Sequence, residues 1–331
     1  MATRLKLTLA CGDYDRTKPL MDGTIRPEGI DLIFLPQRPE EVFWRMLRYK
    51  EFHVSEMSFS SYVLNRSRGN TDFIAIPVFI SRMFRHSCIY TSVSSRIDDP
   101  KDLTGKRVGI PEFQATATVW ARGILHHEYG VSTDQMHWFT GGMEEPGRED
   151  KISLSLPSSI RISAIPHGET LSHMLERGDI DALVTPRPPS CFTLGSTNVK
   201  RLFENYRDVE IRYYQKTRFF PIMHIIIIRR DIYDSHPWIA QSLYKAFCQS
   251  KEICYRNLSE ASALHCSLPF LMSEVEATRR MMGEDFWPYG VEKNRNEIET
   301  FIQYALEQGV IEKKIGIEDL FAENTLSAYK V

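Results

Sequence analysis

An α/β protein of two domains is the fold class this sequence predicts, and three observations carry the expectation. Segments with strand character alternate with segments of helical periodicity along most of the chain. The 331 residues exceed what a single hydrophobic core usually serves. Hydrophobic residues make up 42% and charged residues 25%, the balance of a folded globular chain rather than a disordered one.

Residues 1–10 alternate apolar and polar positions, with strand character over 5–10 that ends in Cys11-Gly12-Asp13-Tyr14. A second strand is expected over 30–35 and a helix over 40–49. Residues 54–57 form a short apolar strand, after which Ser58-Phe59-Ser60-Ser61 opens a helix. Residues 73–78 read as a buried strand and 86–92 as one running outward from the first unit. A polar turn from Asp99 feeds a short strand ending at Ile110, and the segment from Pro111 to Thr116 launches a helix to about Glu128. A helix over 170–177, closed by Gly178, precedes a strand over 181–184. Residues 211–214 are expected as a strand returning to the first unit. Residues 222–228, almost wholly apolar, suit a strand covered on both faces. From His236 onward the pattern is helical over 237–255, 274–282 and 294–307, with Pro237 suited to a first turn. The stretch from Thr140 to Pro166 carries Gly141-Gly142 and Pro146-Gly147 and reads as a long loop, either a lid or an ornament. The expected division is a discontinuous first lobe, 1–92 with 219–331, and a second lobe, 93–218.

Composition and motif content narrow the function. A net charge of −2 supplies no general attraction to nucleic acid or an acidic membrane. The six cysteines are scattered with no Cys-x-x-Cys pair, which suits reduced thiols better than a disulfide scaffold or a zinc site. The first residues lack an unbroken apolar run, and Ile225-Ile226-Ile227-Ile228 is too short to span a bilayer, so a cytoplasmic location is expected. There is no Gly-x-Gly-x-x-Gly, phosphate-binding loop, Gly-x-Ser-x-Gly or His-Glu-x-x-His. No metal is expected, and the residues leave self-association open.

Longer phrases carry a resemblance. Asp102-Leu103-Thr104-Gly105-Lys106-Arg107-Val108-Gly109-Ile110 and Leu175-Glu176-Arg177-Gly178-Asp179-Ile180-Asp181-Ala182 resemble phrases of the type II periplasmic-binding-protein superfamily. Ala10-Cys11-Gly12-Asp13-Tyr14-Asp15-Arg16-Thr17, Glu56-Met57-Ser58-Phe59-Ser60-Ser61-Tyr62 and Ser81-Arg82-Met83-Phe84-Arg85-His86-Ser87 resemble the 4,5-dihydroxyphthalate decarboxylases. So do Ala182-Leu183-Val184-Thr185-Pro186-Arg187-Pro188-Pro189, Phe220-Pro221-Ile222-Met223-His224 and Phe286-Trp287-Pro288-Tyr289-Gly290. The likeness runs from Leu5 to about Phe321 with no family motif broken. It implies an α/β, two-lobed, type II periplasmic-binding-protein-like fold with two crossover segments and an inter-lobe cleft. It also implies a carboxy-lyase of phthalate degradation that uses no cofactor. A non-catalytic solute binder for an aromatic acid is the alternative on the same fold.

Such a reaction needs protonation of the ring carbon that bears the leaving carboxylate. In 4,5-dihydroxyphthalate each hydroxyl lies para to a carboxylate, so the ring is its own electron sink. The protein must hold two anionic groups, polarise a phenol and deliver a proton. Arg82, Arg85 and His86 form the densest cationic cluster beside a strand end, and Arg82 and Arg85 are expected to grip a carboxylate. The plain alternative is a solvated basic loop, or an Arg paired with Glu56 or Asp13. His86 or His224 is the expected proton donor, each at the border of a polar loop and an apolar strand; a satisfied core histidine is the other reading. Asp13 would polarise the catechol and Tyr14 donate a hydrogen bond or stack, although an Asp after a strand is also an ordinary turn residue. Ser58, Ser60, Ser61, Gln114 and Thr116 open helices that favour anions at their amino ends, or simply cap them. Thr185 and Arg187, in a proline-rich run, would serve the second lobe. His126-His127 falls late in a helix and reads as surface or C-terminal capping.

Overall fold

The structure, a computed structural model, describes residues 4–147 and 152–327. In chain order the strands are β1 (Leu5–Cys11), β2 (Ile30–Pro36), β3 (Val54–Ser58), β4 (Phe73–Arg82), β5 (Ile89–Ser92), β6 (Arg107–Ile110), β7 (His137–Thr140), β8 (Arg161–Ala164), β9 (Ala182–Val184), β10 (Val199–Arg201) and β11 (Ile222–Arg229). The helices are α1 (Lys18–Met21), α2 (Pro39–Tyr49), α3 (Phe59–Ser67), α4 (Thr116–Tyr129), α5 (Leu171–Arg177), α6 (Ser190–Thr193), α7 (Tyr206–Thr217), α8 (Arg230–Ser235), α9 (Ile239–Leu258), α10 (Leu271–Met282) and α11 (Arg295–Glu307).

Two sheets result, ordered β2-β1-β3-β11-β4 and β10-β5-β9-β6-β7-β8. In the first, β1 runs parallel to β2 and β3, whereas β11 returns antiparallel between β3 and β4. Ile225, Ile226, Ile227 and Ile228 of that inserted strand are wholly buried, as a strand covered on both faces requires. In the second sheet, β6 is parallel to β7 and β9, and β5 is antiparallel to β9 and β10. Two α/β lobes joined by two crossings are the architecture of a type II periplasmic-binding-protein-like fold.

Several expectations need correction. Residues 211–214 belong to helix α7, whose Tyr206, Val209 and Tyr213 recur at helical spacing, with Asp208 in its first turn. The strand over 89–92 pairs in the second sheet, so the first crossing falls between Arg82 and Ile89, ahead of residue 92. The strand over 73–78 continues to Arg82. Pro77 lies inside it, where the ladder to β11 shifts register between His224 and Ile226. The Thr140–Pro166 stretch contains β8, and its residues 148–151 lie outside those described. Pro237 falls between α8 and α9.

Helix α4 joins the halves. Trp120 donates Nε1–H to the Ile222 carbonyl at 2.9 Å and packs against Phe301 and Tyr304 of α11. Gly123 permits that approach, since a Cβ there would fall 1.9 Å from the Tyr304 ring. Among the described residues no helix is long and apolar enough to cross a membrane.

Candidate active site

A cleft of about 850 Å³ opens between the two sheets, a size that suits one substituted ring. Met83, Pro111, Ala115, Pro186 and Met223 supply apolar walls, and Arg38, Arg85 and Arg187 supply cations. Ser58, the N-cap of α3, and Thr116, the first residue of α4, share a hydrogen bond of 2.9 Å at the cleft. Thr116 Oγ1 also accepts from the Ser60 N–H at 3.0 Å, so two helix amino ends converge there.

His224 lines this cleft, on β11. The ladder to β4 is irregular on both sides of it, and such irregularities re-aim side chains. Its Nδ1 lies 2.6 Å from Glu56 Oε1, and the edge of Phe43 packs against its ring. With Nδ1 engaged by Glu56, Nε2 is the ring nitrogen available to a ligand.

Glu56 is wholly buried on β3, between β1 and β11. It accepts from the Gly12 N–H at 2.9 Å and the Tyr14 hydroxyl at 2.8 Å. Gly12 permits the arrangement, because a Cβ there would fall 2.5 Å from the Tyr14 ring. Burial alone would raise the Glu56 carboxyl, but the hydrogen bond and charge of His224, with Gly12 N–H and Tyr14, hold it below the usual range. A carboxylate so placed orients the imidazole and compensates the charge it carries as a proton donor.

Arg85 is buried in the cleft wall, and its Nε donates to Met223 Sδ at 3.1 Å. Among the described residues it has no ion pair within 4.0 Å, and burial pushes its pKa down. Glu210 acts on it only through its charge, so a buried guanidinium with no carboxylate in hydrogen-bond reach is free to take an anion from the cleft. Arg187 is exposed at the mouth and reaches Glu40 of α2 at 2.8 Å, while Thr185 donates to the Arg187 carbonyl at 3.1 Å. Glu144 anchors the loop after β7 by accepting from the Ser190 N–H at 2.9 Å, which keeps residues 142–147 on the cleft.

The other predicted residues stand elsewhere. Arg82 does not reach the cleft: it pairs with buried Glu297 at 3.1 Å and donates to Asn294 and to the Phe220 and Pro288 carbonyls, which makes it a structural cation. His86 is buried among Tyr129, Phe203 and Tyr213, with neither ring nitrogen hydrogen-bonded among the described residues, and burial pushes its pKa down to about 4. A neutral ring away from the cleft is no proton donor to a bound substrate. Asp13 is exposed on a separate cavity with Lys18 and Cys254, so it cannot polarise a ring held beside His224. Ser60 and Gln114 are buried behind the wall, Gln114 donating to Glu112 at 2.9 Å. Tyr14 acts at one remove, through Glu56.

No family model matches the chain. Among solved structures, the periplasmic aliphatic sulphonate binding protein SsuA of Escherichia coli is similar, with a TM-score of 0.53 at 11% identity over 97% of this chain and 99% of that one. The desulfurization enzyme DSZB is similar too, with a TM-score of 0.54 at 14% identity over 98% and 99%. These likenesses concern the fold: this is a two-lobed α/β protein of type II periplasmic-binding-protein architecture with its cleft between the lobes. Sequence goes further. A protein of Comamonas testosteroni named 4,5-dihydroxyphthalate decarboxylase is 40% identical over 329 residues, 99% of this chain and all of that one. One of Pseudomonas putida with the same name is 44% identical over 205 residues, 62% of this chain and 78% of that one. The chain belongs to the 4,5-dihydroxyphthalate decarboxylase family.

Proposed function

We propose that the cleft converts 4,5-dihydroxyphthalate to 3,4-dihydroxybenzoate and CO2, with His224 as the proton donor. One carboxylate rests on Arg85 and on the helix ends at Ser58, Ser61 and Thr116, while Arg187 and Thr185 face the second from the other lobe. Electron release from the para hydroxyl makes the carboxylate-bearing carbon basic. His224 Nε2–H protonates that carbon, the bond to the carboxylate breaks, and its electron pair restores the aromatic ring as CO2 departs. The imidazole, left neutral, takes a proton back from water. Glu56 holds the ring in the orientation this transfer needs, and Tyr14 and Gly12 hold Glu56. The reaction draws its electron sink from the substrate itself.

The observation that carries this reading is the buried Glu56 carboxylate 2.6 Å from a histidine on the cleft. It is tested by incubating chelator-treated protein with 4,5-dihydroxyphthalate and following CO2 release. Turnover is expected, and His224→Gln should lower kcat about 10²- to 10⁴-fold, the usual worth of a positioned acid, with binding retained. Full activity in that variant would remove the acid assignment. Binding with no CO2 release from the native chain would identify a solute binder instead. We also propose a cytoplasmic location, supported by six cysteines that are all free.

A further inference from the structure

Away from the cleft, the last turns of α4 and α11 bring three ligand-type side chains together. His126 and His127 lie in the last turn of α4, and Glu307 is the last residue of α11. Their nearest ligand atoms all lie within 4.8 Å of one another. Both imidazoles address the same carboxylate oxygen: Glu307 Oε2 is 2.7 Å from His127 Nε2 and 3.8 Å from His126 Nδ1. The supports around them are also in place. Gln303 donates to the other oxygen, Oε1, at 2.7 Å, which turns Oε2 toward the histidines. The Tyr304 ring stacks on His127 with centroids 4.7 Å apart and fixes the plane of the imidazole. All three residues keep solvent access, so water can complete a coordination shell.

We propose that His126, His127 and Glu307 form a site for a divalent transition ion that prefers imidazole, zinc foremost, which ties the end of α4 to the end of α11. Two nitrogens, one carboxylate oxygen and an open position are a common zinc donor set, with bonds of about 2.0–2.2 Å. Closing the three atoms onto one ion asks for small torsions of solvent-exposed side chains. The carbonyl-bearing ends of two helices meet there, and their partial negative charge favours a cation. Gln303 and Tyr304 act as the outer support that orients first ligands at such sites. His127 already engages the carboxylate, and His126, 3.8 Å from the same oxygen, supplies the third donor. The site lies outside the proposed catalytic cleft, so occupancy changes the rigidity of α4 rather than the chemistry at His224.

The test uses the full chain after chelator treatment, titrated with Zn²⁺ by calorimetry and with Co²⁺ by absorbance. We expect one equivalent bound with a dissociation constant in the micromolar range or below, a rise in Tm, and Co²⁺ d–d bands without a thiolate charge-transfer band. Glu307→Gln and the double variant His126→Ala/His127→Ala should each weaken uptake at least tenfold while the metal-free proteins melt as the native one does. Affinity should also fall in acid, where protons compete with the ion for its ligands. Lack of saturable uptake, unchanged uptake in both variants, or a thiolate band would overturn the proposal.

Discussion

Arg85 and His86 are neighbours in sequence and opposites in use. Arg85 turns its guanidinium to the cleft, whereas His86 enters an aromatic pocket and stays neutral. Arg85→Gln should raise KM about tenfold to a hundredfold with a smaller effect on kcat, since a charge-assisted contact to a carboxylate is worth about 1.5–3 kcal/mol. Steady-state kinetics on 4,5-dihydroxyphthalate checks this. His86→Leu should leave turnover within about twofold. Its signature is in acid instead: the folded-state value near 4 lies below the unfolded value near 6.5, so the unfolded chain binds the extra proton between them. Stability due to a neutral His86 is present above pH 6.5 and lost as pH falls toward 4. Its removal should flatten that limb by on the order of 2–3 kcal/mol in denaturant melts. His224 was legible in the sequence because it is a lone histidine leading an apolar strand. Glu56 was legible as one residue of a family phrase and as an alternative partner for an arginine, not as the partner of His224. An acidic residue inside an apolar strand is the signal that marks it, since carboxylates are rarely buried unpaired. Its partner is 168 residues away, and linear sequence does not state that distance pairing. The cluster of Arg82, Arg85 and His86 misled for the same reason: closeness along the chain says nothing about direction in space.

At the scale of elements, α4 does the most. Its first residue shares the Ser58 hydrogen bond at the cleft, and its middle packs against α11 at Gly123. Gly123→Ala should push the Tyr304 ring aside and cost about 1–3 kcal/mol, the usual penalty of overpacking. Thermal melts should show it, together with a raised KM if Thr116 shifts with the helix. The strands of the first sheet and helices α2, α4, α9 and α11 could be read from periodicity, whereas the short strands β7, β8 and β10 and the helix α7 could not. The error at 211–214 arose because Ile211, Tyr213 and Tyr214 favour strands locally. Tertiary packing of Tyr213 and Tyr214 decided for a helix. The loop after β7 was recognised as long, but its anchoring by Glu144 at the start of α6 depends on contacts no local pattern encodes.

For the whole molecule, acid is the condition to watch. Glu56 and His86 both lose stabilising power as pH falls, Glu56 because its carboxyl is held below the unfolded carboxylate range of about 4.3. Family, fold and cleft were all readable from the chain. The point where it first changes sheets was not, because the short strand β5 looks like a continuation of β4 until its partners β9 and β10 are known. The order β2-β1-β3-β11-β4 has a further bearing, on the newborn chain. As the polypeptide leaves the ribosome, β3 and β4 appear early, yet the strand that separates them follows more than a hundred residues later. Until then the first sheet has a slot between β3 and the edge strand β4, open to any stray extended segment, while the second sheet can already assemble. A fragment ending at residue 220 should therefore protect amides of β5–β10 from hydrogen exchange and leave those of β3 and β4 open. That outcome would make the half that begins synthesis the half that finishes folding last.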